Sequence, residues 1–364
     1  MKIMFGGDLV PTIRTEQSFI NENVSKLFND ALYIFSNNDF NIVNLECALT
    51  ESNKEITKYG PCLKASPKVV KGLKKLNVTH CLLSNNHVFD YGKQGLYDTI
   101  NALKGANIGY TGIGENKLDA RRDLILEKEG ETLAVINVSE HEYSYALEDR
   151  VGCREFDVFK TLEDIRLAKS KNNRVAVIYH GGKEQSEYPS PRLVEACRAM
   201  ARAGADIILC QHSHCIGCYE FYENTHILYG QGNFNFVKPE LDSLYGWKQG
   251  IAVHYDSKNN KVEFTYCNQL DDGVELLKGE KLKEANDAFN LRNERLKDGS
   301  YLKYWHEYCL TVAGNYIKYT KEYLENMVGL DTYHHVLGHY LDCEAHHDVL
   351  VEIFKTANHT NEKD

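Results

Sequence analysis

Six apolar runs of this chain end in residues that can do chemistry. Residues 2–5 lead into Gly6-Gly7-Asp8, and residues 41–45 into Glu46. Residues 80–83 are followed by Ser84-Asn85-Asn86-His87, and residues 174–179 by His180-Gly181-Gly182. Residues 206–209 precede Gln211-His212-Ser213-His214, and residues 226–229 precede Gly230-Gln231-Gly232-Asn233. One such ending alone reads as a turn, but together they deliver Asp, Glu, Asn and His to a common place. Imidazoles and carboxylates without thiolates suit Mn, Fe or Zn, and the mixed oxygen and nitrogen set does not separate these metals. His212 and His214 are two apart, so on an extended loop they point to opposite sides. They then reach two neighbouring ions or flank one site, with Glu46 as the candidate bridging carboxylate. Two cations ~3.5–4 Å apart can ionise a shared water and clamp a phosphoryl group. His87, beside the candidate ligand Asn86, is placed to protonate a leaving group. Asp90 is its candidate orienting partner.

The elements that must position these residues alternate. Runs rich in Ile, Val, Leu, Tyr and Phe at 2–5, 41–45, 80–83, 132–138, 174–179, 206–209, 226–229, 251–255 and 261–266 read as strands. Several are apolar on successive residues, as strands buried on both faces are. Between them, 67–76, 94–105 and 191–204 read as helices. The last places Leu193, Ala196, Cys197, Met200 and Ala203 at three- and four-residue spacing and stops at Gly204. Strand, helix, strand at this rhythm predicts an α/β sandwich. In such sheets ligands gather at the carboxyl ends of the strands. From about residue 275 the pattern is helical, over 278–295, 301–324 and 332–356, with a hinge at 296–301. The polar end, 358–364, reads as disordered.

The chain has 364 residues, 42 basic against 52 acidic side chains and a net charge of −10. That balance argues against a nucleic-acid partner or an anionic bilayer, which call for a basic face, yet permits an anionic small-molecule or polymer substrate held by a metal. No run approaches the ~20 apolar residues of a membrane span, and Asp8 arrives too early for a signal peptide's apolar core. A cytoplasmic protein is the expectation. The eleven cysteines are scattered, mostly inside apolar stretches, and read as reduced thiols. The lone Cys215-x-x-Cys218 pair reads the same way.

The string Ser84-Asn85-Asn86-His87-Val88-Phe89-Asp90-Tyr91-Gly92 resembles the NNH-x-x-DYG signature of the CapA family of poly-γ-glutamate and capsule biosynthesis proteins. That family lies within the calcineurin-like metallophosphoesterase superfamily. The likeness extends over Gly7-Asp8, Asn44-Leu45-Glu46, His180-Gly181-Gly182 with Glu187-Tyr188-Pro189, and Ala203-Gly204-Ala205-Asp206-Ile207-Ile208. It continues through His212-Ser213-His214 and Gly232-Asn233-Phe234, covering about residues 1–270. It implies a four-layer α/β/β/α sandwich over 1–270; the helical pattern beyond it reads as an extension over 271–364 packed on that body through its tyrosines. The resemblance also implies one or two divalent ions (Mn, Fe or Zn), with Asp8 and His214 on one and Asn86, His180 and His212 on the other. Glu46 then bridges in place of the usual aspartate, and His87 is the catalytic histidine. One departure stands out: the superfamily's Asp-x-His motif has Val10 at its third position here.

No resemblance covers the tail. His335 and His339 are four apart, a known metal spacing on a helix, but Val336 stands where an H-E-x-x-H motif has Glu. The tail histidines are therefore expected on a polar helical face or at a homo-oligomer contact. The leading functional expectation is a metal-dependent hydrolase acting on a phosphoester or related bond in capsule, poly-γ-glutamate or other cell-surface polymer metabolism. The alternatives are a non-catalytic accessory protein of polymer synthesis or export, and a γ-glutamyl amide hydrolase or transferase using the same centre. Substrate choice is expected in the loops 54–65 and 140–156 and in the tail; Arg14, Lys64 and Lys183 read first as plain surface charges, with neutralising an anionic substrate as the alternative.

Overall fold

The computed structural model describes residues 1–244, 246–325 and 331–359, with the backbone alone at 323–324, 331–335 and 356–359. Two sheets carry the fold. The eight-stranded sheet has the spatial order Val274–Leu276, Lys261–Gln269, Gln249–Asp256, Lys2–Leu9, Phe40–Leu45, His80–Leu82, Gly109–Thr111, with Asn233–Asn235 pairing alongside Lys2–Leu9. The six-stranded sheet runs Tyr219–Tyr222, Thr225–Leu228, Ile207–Gln211, Arg174–His180, Glu131–Ser139, Leu124–Lys128. Four neighbouring strands in each are parallel, from Lys2–Leu9 to Gly109–Thr111 in the first and from Glu131–Ser139 to Thr225–Leu228 in the second.

Three apolar cores stack these parts into layers. Ile3, Phe5 and Ile42 of the first sheet meet Val135, Ile178 and Leu209 of the second in one buried cluster, so the sheets pack face to face. The other face of the first sheet (Met4, Val43, Cys81) packs on Phe19, Leu73, Leu96 and Leu103 of its helices. The other face of the second (Ile136, Val177, Ile208) packs on Ile165, Leu193, Cys197 and Met200. The expected helix–sheet–sheet–helix arrangement is thus present.

Local chemistry explains why the elements start and stop. In the helix Pro191–Ala203, the Ser190 hydroxyl accepts from Leu193 N at 3.1 Å, Pro191 occupies the first turn, and Gly204 closes it at φ +116°. Each of these devices suits its end of a helix. All nine expected strands are present, whereas the four edge strands, Gly109–Thr111, Leu124–Lys128, Tyr219–Tyr222 and Val274–Leu276, have no counterpart in the apolar pattern. An edge strand is covered incompletely and has no need of a continuous apolar run; only Leu126 of the Leu124–Lys128 strand is buried. The helix Val158–Lys171 also went unread, because its buried stripe is only Thr161, Ile165 and Ala168.

After the last strand, Val274–Leu276, come helices Gly279–Asp298, Tyr301–Glu325, Asp331–Asp342 and Glu344–His359. The single helix expected over 332–356 is two, joined at Cys343, although Cys343 N still bonds His339 O and His347 N bonds Cys343 O, both at 2.9 Å. The junction is a kink with its backbone bonds largely kept, and no glycine or proline announces it. Helix also reaches His359, into the stretch expected to be disordered, while 360–364 lie outside the described residues. Ala285 and Phe289 enter the inter-sheet core. Asp348 accepts from Ser190 at 2.5 Å and from Arg192 Nε at 2.9 Å, fastening the last helix to the second sheet's layer. All eleven cysteines are free. Among the described residues, no helix is long and apolar enough to cross a membrane.

Candidate metal centre

The parallel strands bring their carboxyl ends to one rim, and the six ligand candidates meet there. Asp8 lies near the end of Lys2–Leu9, and Glu46 directly follows Phe40–Leu45. His180 ends its strand, and His212 follows Ile207–Gln211. Asn86 Oδ1 is 2.9 Å from His180 Nε2, which is 3.4 Å from Glu46 Oε1. His212 Nδ1 stands 4.0 Å from the same Glu46 oxygen, and His214 Nδ1 lies 3.6 Å from Asp8 Oδ2. One ligand atom from each of Glu46, His212 and His214 fits within 4.8 Å of the others.

This convergence corrects one expectation. The loop is not extended at its histidines: His212 has φ +85° and His214 has φ +55°. Non-glycine residues adopt such angles at a cost of about 1–3 kcal/mol and only where the surroundings hold them. Here Asp8 Oδ2 accepts from His212 N at 3.1 Å, and Asn233 Oδ1 meets His214 Nδ1 at 2.9 Å. The left-handed turns bring both rings to Glu46. Val10, the residue at the departure from the superfamily motif, packs into the apolar core and offers no ligand.

The electrostatics are those of a site built around positive charge. Burial, reinforced by the Glu46 charge, pushes Asp8 up to about 6. Burial also raises Glu46. It depresses His180 to about 4 and holds His212 well below the usual histidine range, leaving both rings neutral at pH 7. For His214, burial opposes the charged ring, but Glu46 and Asp8 outweigh it and raise its pKa. Both Glu46 oxygens and His212 Nδ1 are buried without a hydrogen-bond partner. A buried carboxylate left this way costs several kcal/mol unless something positive meets it. A divalent cation fits: oxygen and neutral imidazole donors face one point, and their unsatisfied atoms are the ones it would use.

Beside this cluster is a fully paired one. His87 Nδ1 meets Asp90 Oδ2 at 2.6 Å, and Asp90 Oδ2 also accepts from Leu63 N at 2.6 Å. Lys58 Nζ lies 2.5 Å from Asp90 Oδ1 and 3.2 Å from His87 Nδ1. Burial, then the Lys58 charge, lowers the His87 pKa against the pull of Asp90. The ring is therefore neutral near pH 7, with Nδ1 facing Asp90.

Both clusters open into a cavity of about 470 Å³ lined also by Tyr59, His141, Tyr143, Lys183, Lys238 and Trp247. Lys183 thus lines the cavity rather than an outer surface. Arg14 and Lys64 line a separate pocket, and Lys64 Nζ is held by Ser52 O at 2.5 Å. Sequence reasoning missed Lys58 and His141. His141 packs against His212 with ring centroids 4.3 Å apart, and its Nδ1 is buried without a partner. The strand-end rule could have found it, since Glu131–Ser139 runs into Glu140-His141. Lys58 carried no signal, being one lysine in a polar loop. Two tail histidines, His339 and His346, also line the cavity rather than an outer helical face; His335's side chain lies outside the described residues.

Residues 2–238 match the sequence model of a family described as bacterial capsule synthesis protein PGA_cap. The chain belongs to this family. It is 33% identical over 207 residues to the capsule biosynthesis protein CapA of Bacillus anthracis, covering 54% of this chain and 49% of that protein. It is 30% identical over 269 residues to the PGA biosynthesis protein CapA of Bacillus subtilis, covering 70% and 67%. A probable polyglutamine synthesis accessory protein of Mycobacterium tuberculosis is 29% identical over 221 residues, covering 57% and 58%. The chain thus spans about half the length of the first PGA_cap relative and about two thirds of the second. Among solved structures, a hypothetical protein from Thermus thermophilus aligns at TM-score 0.45 and 15% identity, over 74% of this chain and 100% of that one. A putative 5'-nucleotidase from Staphylococcus aureus aligns at TM-score 0.44 and 17% identity, over 79% and 58%.

Proposed function

We propose that this PGA_cap protein is a metal-dependent hydrolase acting on an anionic substrate, a phosphoester or a related bond in capsule or poly-γ-glutamate metabolism. The observation that carries the reading is the pairing of two groups on one cavity floor. Glu46 lies among three imidazoles with its oxygens unsatisfied, and beside it is an imidazole, His87, with one nitrogen tied off and the other left. Asp8, Glu46, Asn86, His180, His212 and His214 would hold one or two ions. A bound divalent ion supplies Lewis-acid chemistry, polarising a phosphoryl or carbonyl oxygen and acidifying water.

The chain's own residues do the rest. Asp90 fixes the His87 tautomer by accepting from Nδ1, so Nε2 takes or returns a proton at the scissile bond. Lys58 neutralises Asp90 and keeps the dyad from drawing a proton at rest. Lys183 and Lys238 give the wall a positive charge that suits phosphate or glutamate carboxylates, and Tyr59, Tyr143 and Trp247 narrow the water-filled space.

Elemental analysis and turnover of an aryl phosphodiester test the proposal together. Wild type is expected to carry Mn, Fe or Zn, and His180→Ala to lose both ion and activity. Metal-replete wild type inert on both phosphoester and γ-glutamyl amide panels would leave a non-catalytic accessory role in polymer synthesis as the reading.

A further inference from the structure

The helical tail holds a second set of converging ligands. A ring nitrogen of His339, the Cys343 sulfur and a ring nitrogen of His346 lie within 4.8 Å of one another. Their spacing in the chain, four residues and then three, puts them on one side of the kink between Asp331–Asp342 and Glu344–His359. Cys343 is fully buried and His339 is 6% exposed.

Each ring is oriented from behind. His339 Nδ1 meets Glu142 Oε1 at 2.8 Å, and His346 Nδ1 meets the Tyr316 hydroxyl at 2.7 Å. Nε2 is then the nitrogen that each ring has left. Metal-binding histidines are commonly held in this way, by a carboxylate or other polar group on the far nitrogen. Aromatic neighbours fix the planes: Tyr340 stacks on His346 at 4.9 Å and 19°, and Tyr143 on His339 at 5.3 Å and 28°. Glu142, on the loop after the strand Glu131–Ser139, ties this tail cluster to the second sheet.

We propose that His339, Cys343 and His346 form a second cation site, selective for a thiophilic divalent ion of the zinc class. A thiolate with two imidazoles favours such an ion over the harder Mn or Mg. Three protein ligands leave a tetrahedral ion one open position. His339 and His346 line the same cavity as His87, His212 and His214. An ion held there would stand at the tail side of the cavity, where a fourth position could take a carboxylate or phosphate of the bound molecule. The site stands whether or not the rim centre turns over substrate.

Cobalt(II) separates the two sites, because the rim candidates include no cysteine. Metal-free full-length chain titrated with cobalt is expected to develop a thiolate-to-cobalt charge-transfer band. Cys343→Ser removes that band and lowers zinc content by one ion per chain, while His180→Ala retains it. Wild type without the band at saturating cobalt overturns the proposal, and needs no variant to fold. A band that survives Cys343→Ser overturns it equally, by assigning the thiolate to another cysteine.

Discussion

Two polar groups share the cavity floor and have been left in opposite states. Asp90 accepts from Lys58 Nζ at 2.5 Å, from His87 Nδ1 at 2.6 Å and from Leu63 N at 2.6 Å, so its carboxylate is fully paired. Glu46 and His212, equally buried, have three atoms between them without a hydrogen-bond partner. A completed network stabilises itself and fixes a proton's position. An incomplete one destabilises the empty protein, and so is tolerated where an outside group completes it. On the proposed reading, the difference separates proton handling from ion holding within one pocket.

Breaking the paired group should give the largest effect. Asp90→Ala, which leaves His87 without an acceptor for Nδ1, is expected to cut turnover about 10²–10⁴-fold with ion content unchanged. Loss of the ion in that variant, seen by elemental analysis, would merge the two groups into one. Glu46→Gln sharpens the contrast from the other side. It removes a buried charge that the empty fold cannot pair, so the metal-free chain should gain about 1–3 kcal/mol in urea unfolding while binding ions more weakly. A metal-free chain that instead lost stability would mean that Glu46 is compensated within the fold.

The smallest effect is one of pH. In the metal-free chain Asp8 holds its proton below about 6, because burial and then the Glu46 charge disfavour its ionised form. An ion must displace that proton and the one His214 holds above its ordinary range, so apparent affinity should fall at least about tenfold per pH unit below about 6 and go on rising above it until His214 is neutral. His180, depressed by burial to about 4, does not compete over this range. Competition titrations with a chelator check the slope; an affinity unchanged between about pH 7 and pH 5 removes Asp8 from the ligands.

Much of this was legible in the chain. Most of the nine strands bury both faces and so are apolar throughout; Lys261–Gln269 is half-exposed and was legible from its Val, Phe and Tyr instead. The rim residues followed because a parallel strand has only one end at which a loop can present them. Edge strands and the helix Val158–Lys171 were not legible, since partial burial imposes too weak a pattern.

The sequence by itself determined the central strands of an α/β sandwich, the strand ends that carry Asp8, Glu46, Asn86, His180, His212 and His214, and the chain's net negative charge. Only the tertiary structure decided that His212 and His214 turn to the same carboxylate, that Lys58 completes the His87–Asp90 pair, and that the tail brings His339 and His346 to the same cavity. The physical reason is range. Strand and helix patterns record burial against immediate neighbours, whereas a left-handed turn, a buried ion pair 32 residues apart and a contact 197 residues apart are fixed by partners that no local pattern names.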